Sequence, residues 1–308
     1  MNSQPQFYLK SHSFWLILLA IFFFGNQIFG QTDGPKPRGI VPVFEKTRPS
    51  APVDKNSGAS PVRNKSKKPT YKRISSRLSS GKVSKTDRPG KRPVKSAQPD
   101  IPESRAEQIG ITLWQINGNI PERVSIDTIF RPFDRVRLSV ESSRRGFIYI
   151  INQELRADDT SGNARLIFPS KQVRNGANLI VPGKPIEIPN LNGSPFYFEF
   201  RPNNESSAIA EMLFVIITNQ PIPGLEIGDQ PGLISENTLN IWRTKWAGRT
   251  EIFESNGNQK TYTQKEREAA AGESTLTGDD PLPQTIFMIE ANRNSGSLIT
   301  VPLWYGGR

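Results

Sequence analysis

Turn-forming residues interrupt the chain every eight to twelve residues from Gly110 onward, and the intervals between them hold alternating or continuous apolar runs. Intervals of this length are typical of β-strands, which average about five to six residues. The pattern therefore predicts an all-β fold. We expect ten strands, at residues 110–116, 134–142, 147–153, 164–168, 178–181, 185–188, 196–201, 211–218, 285–290 and 298–303.

The segment 134–153 reads DRVRLSVESSRRGFIYIINQ and predicts a β-hairpin. In its first strand polar and apolar side chains alternate, and alternate side chains of a strand point to opposite faces of the sheet. We therefore expect Leu138 and Val140 to face the core while Arg135 and Arg137 face water. The polar break between the two strands would form the hairpin tip.

Two stretches, residues 147–151 and 212–217, are apolar on both faces. This composition predicts central strands that are covered on both sides. Pro302, which cannot donate a backbone hydrogen bond, predicts an edge or a bulge in the last strand. Together these features favour a β-sandwich of the Ig-like or Greek-key type, with a closed barrel as the alternative.

Two short helices are predicted before the last hairpin. Ser235 can cap the first, which places Trp242 and Trp246 along one stripe. Thr263 and Glu266 have the spacing of a capping box and predict the start of the second. We expect the tryptophan stripe to be core, and tryptophans exposed for stacking on sugar rings are the alternative.

The first 30 residues have the layout of a secretory signal peptide. Lys10 precedes an apolar run at residues 14–24, and the small residue Gly30 follows. Eleven apolar residues are fewer than the roughly 20 that a membrane-spanning helix needs. We therefore expect export to the periplasm or the exterior with cleavage of residues 1–30, and an uncleaved membrane anchor is the alternative.

Residues 31–105 are basic and rich in proline. They contain 19 Lys and Arg against 6 Asp and Glu, a net charge of +13, whereas residues 106–308 contain 20 against 23, a net charge of −3. A segment with so few aliphatic side chains cannot offset its chain entropy. The sequence thus predicts a disordered basic linker, followed by one sandwich domain at 106–308. We expect the linker to be simply solvated, and contact with an anionic envelope polymer or lipid surface is the alternative. Export makes nucleic acid an unlikely partner.

The chain has no cysteine, and its one histidine, His12, lies in the predicted signal peptide. The mature protein would then lack the thiol and the imidazole needed for Ser-His-Asp or Cys-His catalysis and for the usual zinc sites. We expect no cofactor and no enzymatic activity.

Arg144 and Arg145 at the predicted hairpin tip, together with Arg135 and Arg137 on the predicted wet face, are candidates for a small anion-binding surface. Simple solvation of these side chains is the alternative.

Asp158, Asp159 and Asn163 are weak candidates for a calcium site because they supply hard oxygen ligands. Their spacing does not match the EF-hand loop, and a hairpin turn explains them as well. A carboxylate-dependent enzyme would draw on these residues and on Glu154, Asp279 and Asp280, yet no pair with a defined separation is evident.

The stretch DRVRLSVESSRRGFIYIIN, followed by LIFP at 166–169, NLIVPGKPIEIP at 178–189 and AEMLFVIIT at 210–218, resembles the family called domain of unknown function 4384. In that family the domain often accompanies protein kinases or caspase-like peptidases. The resemblance implies an accessory, partner-binding or sensory role, and the family has no established catalytic residues to carry over.

The sequence as a whole predicts an exported, non-catalytic cell-envelope protein that carries a protein-interaction or sensory-accessory β-sandwich on a basic disordered arm. A glycan-binding or carboxylate-dependent glycan-processing domain is the alternative.

Overall fold

A computed structural model describes residues 44, 46–50, 70–74, 106–189, 197–200, 208–256, 260–290 and 295–305. The chain divides into two compact units, 1–36 and 37–308, and every described residue lies in the second. The predicted signal peptide lies outside the described residues.

Fifteen strands form from the described residues, which confirms the all-β prediction. Five of them, β1, β3, β4, β12 and β13, were not predicted. The strands are β1 Tyr71–Ile74, β2 Ala106–Asn117, β3 Ile120–Val124, β4 Ile129–Phe130, β5 Arg135–Ser142, β6 Gly146–Arg156, β7 Ala164–Phe168, β8 Leu179–Ile180, β9 Ile186–Ile188, β10 Phe198–Glu199, β11 Ala208–Thr218, β12 Gly232–Ile234, β13 Thr250–Ser255, β14 Thr285–Glu290 and β15 Gly296–Tyr305.

The strands form two sheets, so the sandwich prediction is confirmed and the barrel alternative is wrong. Sheet 1 has the order β1-β13-β14-β2-β5-β10, with β3 paired to β2 and β9 paired to β5. Sheet 2 has the order β12-β7-β6-β11-β15-β4, with β8 paired to β6. The two predicted central strands are β6 and β11, and each has a neighbour on both sides. At Pro302 strand β15 pairs only with β11, because β4 joins it only at Trp304 and Tyr305.

The main core lies between the two sheets. Sheet 1 contributes Leu138, Val140 and Phe287, and sheet 2 contributes Ile150 and Val215 among others. These inward side chains occupy alternate positions of their strands, as the period of two requires. A second cluster covers the outer face of sheet 2, and a third covers part of the outer face of sheet 1.

The segment 134–153 is not a hairpin, because its two strands belong to different sheets. Strand β5 pairs with β2, β9 and β10 in sheet 1, whereas β6 pairs with β7, β8 and β11 in sheet 2. Residues 143–145 carry the chain across. A Cβ on Gly146 would lie 2.8 Å from the carbonyl oxygen of Thr218, so the crossing requires glycine there. The predicted last hairpin is wrong for the same reason, since β14 lies in sheet 1 and β15 in sheet 2.

Both predicted helices are present between β11 and β14. Helix α1, Glu236–Trp246, is capped by the Ser235 hydroxyl, which accepts from the backbone N–H of Thr238. Helix α2, Gln264–Ala270, begins with the predicted capping box of Thr263 and Glu266. No helix among the described residues has the length and apolarity to cross a membrane.

Two stretches of the segment 31–105 fold onto sheet 1. Strand β1 pairs antiparallel with β13 at the edge of the sheet. Phe44 and Arg48 are buried, with 0% and 4% of their surface exposed. These described residues of the predicted linker thus contact the body of the protein. The average composition of a segment does not indicate whether single side chains within it are buried in pockets.

Candidate binding site

The outer face of sheet 1 is covered by a short piece of the basic segment. We name Phe44 and residues 46–50 the anchor segment. The backbone N–H of Arg48 donates to the carbonyl of Phe44 at 3.0 Å, which closes one helical turn. Residues four apart on such a turn point to the same side. Phe44 and Arg48 therefore enter the body of the protein side by side, while Lys46 between them is exposed.

Phe44 fills an apolar pocket, which we name the aromatic pocket. Its lining comes from strands β1, β13 and β14 and from the loop before β14. Full burial of a phenylalanine side chain contributes about 1.5–3 kcal/mol. The lining residues are Tyr71, Phe253, Leu282, Ile286 and Met288.

The guanidinium of Arg48 fills a second pocket, the arginine pocket. Nε and Nη2 both donate to Glu141 of β5, with Nε to Oε1 at 3.1 Å and Nη2 to Oε2 at 2.9 Å. Nη1 donates to the carbonyls of Thr277 and Asp280 at 3.0 and 3.1 Å, and Nη2 donates to the carbonyl of Pro281 at 3.0 Å. Every nitrogen of the guanidinium donates at least one hydrogen bond. A planar fork of donors facing a carboxylate is the geometry that distinguishes arginine from lysine.

The turn GDDPLP at residues 278–283 builds one wall of this pocket. Its Asp280 carboxylate accepts from the backbone N–H and the hydroxyl of Thr277, at 2.6 and 2.9 Å. This closes the turn and directs its carbonyls toward Arg48. Gly110 of β2 lies beneath the turn, where an added Cβ would sit 2.2 Å from Pro283 and 3.2 Å from Phe44. The site therefore requires glycine at that position.

Strand β1 attaches the basic segment 31–105 to the body at a second place. Four residue pairs join it to β13. The Tyr71 hydroxyl donates to the carbonyl of Pro283 at 2.6 Å, and Arg73 Nη2 lies 3.2 Å from Glu251 Oε1. The basic segment thus contacts the body through an aromatic anchor, an arginine anchor and an added edge strand.

Further buried charges lie beside the arginine pocket. Arg137 of β5 pairs with Glu187 of β9, with Nε 3.4 Å from Oε2, and the Tyr262 hydroxyl donates to Glu187 Oε1 at 2.8 Å. Arg123 pairs with Glu266 of α2. Glu266 of α2 and Tyr262, which precedes the helix, contact these groups. This end of sheet 1 is therefore a polar layer enclosed by protein.

Burial controls the titration of these carboxyls. It raises the pKa of Glu141, and the guanidinium of Arg48 opposes that rise. Burial also raises the pKa of Glu187 to about 7, against the opposing effect of Arg137 and of the Tyr262 hydrogen bond. Desolvation disfavours the charged form of each carboxyl.

The space between these charges is small. A cavity of about 20 Å³ is lined by Arg48, Thr112, Glu141, Glu187 and Glu266 among others. That volume holds about one water molecule. A sugar ring does not fit between these carboxylates.

The raised pKa of Glu187 predicts how stability depends on pH. Between about pH 4.5 and pH 7 the folded protein binds more protons at Glu187 than the unfolded chain, so the free energy of unfolding falls as pH rises, by up to about 3 kcal/mol from this group. Urea unfolding at several pH values measures the slope. Glu187→Gln should flatten it, while Glu226→Gln, at an exposed residue, should leave it unchanged. A Glu187→Gln slope equal to wild type would contradict the assignment.

Three of the four arginines of the predicted anion surface pair with carboxylates. Arg137 is buried against Glu187, Arg135 Nε lies 3.3 Å from Glu199 Oε2, and Arg144 Nε lies 2.8 Å from Glu107 Oε1. Arg145 is exposed, and the Arg135 side chain is 42% exposed. The alternation in β5 was predicted correctly, but on the face assigned to water Arg137 is covered by Glu187 and Tyr262, and Glu141 is covered by Arg48.

Arg144 has a structural role. Besides Glu107, it donates to the carbonyl of Ile217 at 3.0 Å and to the Asn219 side chain at 2.5 Å. These bonds fasten the crossing between the sheets to strands β2 and β11.

The weak calcium candidates form a turn instead. The Asp158 carboxylate accepts from the backbone N–H and hydroxyl of Thr160, which lowers its pKa, and Asp159 adopts a φ of 63°. Within the described part of the chain, no group of three or more His, Cys, Asp or Glu residues is placed to hold a metal ion. Arg156 Nε lies 2.8 Å from Glu154 Oε1. The Asp280 carboxylate accepts a hydrogen bond from the backbone N–H of Thr277 within its own turn.

The tryptophans proposed for sugar stacking are buried. Trp242 and Trp246 are 8% and 6% exposed and pack with Leu239 against the outer face of sheet 2. Their core role is confirmed, and the stacking alternative is wrong for them.

The anchor segment was missed because its signal is small. FEKTR contains one aromatic residue and one arginine four residues apart, inside sequence dominated by proline and lysine. Its carboxylate partner, Glu141, is 93 residues away, on a strand face that the sequence pattern predicts to be exposed.

Comparison of the chain with family models, curated proteins and solved structures finds no match.

Proposed function

We propose that this protein is an exported, non-catalytic cell-envelope protein whose sandwich acts as a protein-interaction module. The module recognises a short segment that carries an aromatic side chain and an arginine four residues later. The observation that supports the proposal is the pair of adjacent pockets occupied by Phe44 and Arg48, in which the guanidinium meets a buried carboxylate and three backbone carbonyls.

The chemistry of the two pockets accounts for selectivity. A buried carboxylate left without a cation is costly, so the arginine pocket favours segments that supply a guanidinium. The aromatic pocket adds apolar burial beside it. Buried aromatic and arginine side chains are the residue types that most often dominate binding energy at protein interfaces.

A peptide experiment tests the module on the full mature chain. In the variant Phe44→Ala/Arg48→Ala the protein's own segment no longer fills the pockets. We expect a peptide of residues 38–50 to bind this variant, as measured by calorimetry or fluorescence anisotropy. Peptides with Phe44→Ala or Arg48→Ala should bind at least about tenfold more weakly, because each loses more than about 1.4 kcal/mol of pocket contacts.

A peptide with Lys46→Ala is the matched control, since Lys46 is exposed on the same turn. It should bind like the unchanged peptide. Equal affinity of all four peptides, or no binding by any, would overturn the proposed module.

The remaining parts of the proposal rest on the sequence. Export with cleavage predicts a mature chain that begins near Gln31, which N-terminal sequencing of the recovered protein checks. Membership in the domain of unknown function 4384 family would fit a partner-binding role. The excess of basic residues in 31–105 suits attachment to an anionic envelope surface, and such attachment should weaken as salt is raised.

A further inference from the structure

The stretches of chain that join the anchor segment and β1 to the body are long. Their length does not determine whether the two pockets are filled by the anchor segment of the same molecule or by that of another copy. Nineteen residues, 51–69, separate Ser50 from Thr70, and thirty-one residues, 75–105, separate Ile74 from Ala106. Thirty-one residues span at most about 110 Å. A folded domain of some 200 residues has a radius of gyration of about 16 Å. The covalent reach therefore extends well beyond one body to a neighbouring one.

The contacts of the anchor segment and β1 are made to the body and do not involve the stretches of chain that join them to it. Arg48 bonds to Glu141, Thr277, Asp280 and Pro281, and β1 bonds to β13, all in the body that begins at residue 106. The same bonds form whether the segment comes from the same chain or from another copy. The two arrangements differ only in effective concentration.

We propose that the anchor segment and β1 of one copy dock in the pockets and on the β13 edge of a second copy. Reciprocal exchange closes a two-fold dimer in which each body holds the other's segment. This inference rests on the proposed function, because it names a second copy of this chain as the partner of the module. Docking within one chain benefits from an effective concentration in the millimolar range. Exchange is therefore favoured where copies are crowded together, as on a surface.

A mixing experiment isolates exchange from docking within one chain. The variant Glu141→Gln keeps its segment but loses the carboxylate of its own arginine pocket. The variant Phe44→Ala/Arg48→Ala keeps its pockets but loses its anchors. We expect each variant alone to be monomeric, and the equimolar mixture to form a 1:1 heterodimer with a Kd within about tenfold of that of the 38–50 peptide. Analytical ultracentrifugation reads the masses.

The absence of cysteine allows a second measurement on chains with intact pockets. Ser50→Cys and Lys184→Cys replace exposed residues and can be labelled singly in separate molecules. Pro49 lies beside Gly183, so a docked Ser50 is close to Lys184. Energy transfer between the two labelled proteins should rise with concentration and fall when excess 38–50 peptide is added.

The outcomes separate the two proposals. Peptide binding without heterodimer formation and without energy transfer would overturn exchange and leave the module intact. Failure of the peptide to bind would overturn both. If Glu141→Gln fails to fold, as judged by its circular dichroism and thermal melt, the energy-transfer experiment decides alone.

Discussion

Replacing Glu141 with alanine is expected to lower the free energy of unfolding by about 3–5 kcal/mol. Removal of one partner of a buried ion pair leaves the other charge uncompensated, and Arg48 has only 1% of its side chain exposed. The guanidinium also loses the acceptor of its bidentate contact. Urea unfolding at neutral pH measures the loss.

Local hydrogen exchange adds a second measurement. If Arg48 leaves its pocket to reach water, its backbone N–H loses the bond to Phe44 and should exchange faster than in wild type. Glu226→Ala removes an exposed carboxylate and should change stability by less than about 0.5 kcal/mol. A Glu141→Ala variant as stable as this control would show that the pair does not hold the segment.

Replacing Phe287 with alanine is expected to cost about 3–5 kcal/mol. Phe287 lies in β14, is 1% exposed and packs between the two sheets. Its removal loses the transfer free energy of the ring and leaves a cavity that the surrounding strands fill only in part. The midpoint of urea unfolding should fall while the slope with urea stays unchanged.

Phe133 provides the matched control for this change, since it is the same residue type with 65% of its surface exposed. Phe133→Ala should leave the midpoint close to that of wild type. Equal midpoints for the two variants would contradict the placement of Phe287 in the core.

The fold was predictable because its main signals are repeated along the chain. The alternation of Leu138 and Val140 with polar residues and the continuous apolar runs of β6 and β11 each extend over several residues, and the capping box at Thr263 uses two residues in fixed positions. Each signal is local, so one sequence suffices to find it. Strand pairing was less predictable, since a polar break between two strands is compatible both with a hairpin and with a crossing between sheets.

The candidate site was not predictable for a related reason. Arg48, Glu141 and Asp280 come from three distant parts of the chain. Arg137 and Glu187 each occupy a polar position of an alternating strand, which normally faces water. Here Tyr262, from a distant part of the chain, contacts both side chains and changes that environment. A pocket assembled from single residues in separate segments leaves no periodic pattern.

The distribution of the last two strands between the sheets has a consequence for biosynthesis. Sheet 1 needs β14 between β13 and β2, and sheet 2 needs β15 beside β11, so neither sheet can close before residues 285–305 have left the ribosome. Pairings over such long stretches of chain also form slowly, typically in milliseconds to seconds. A nascent chain built in this way remains without its two complete sheets until both of these strands have been synthesised.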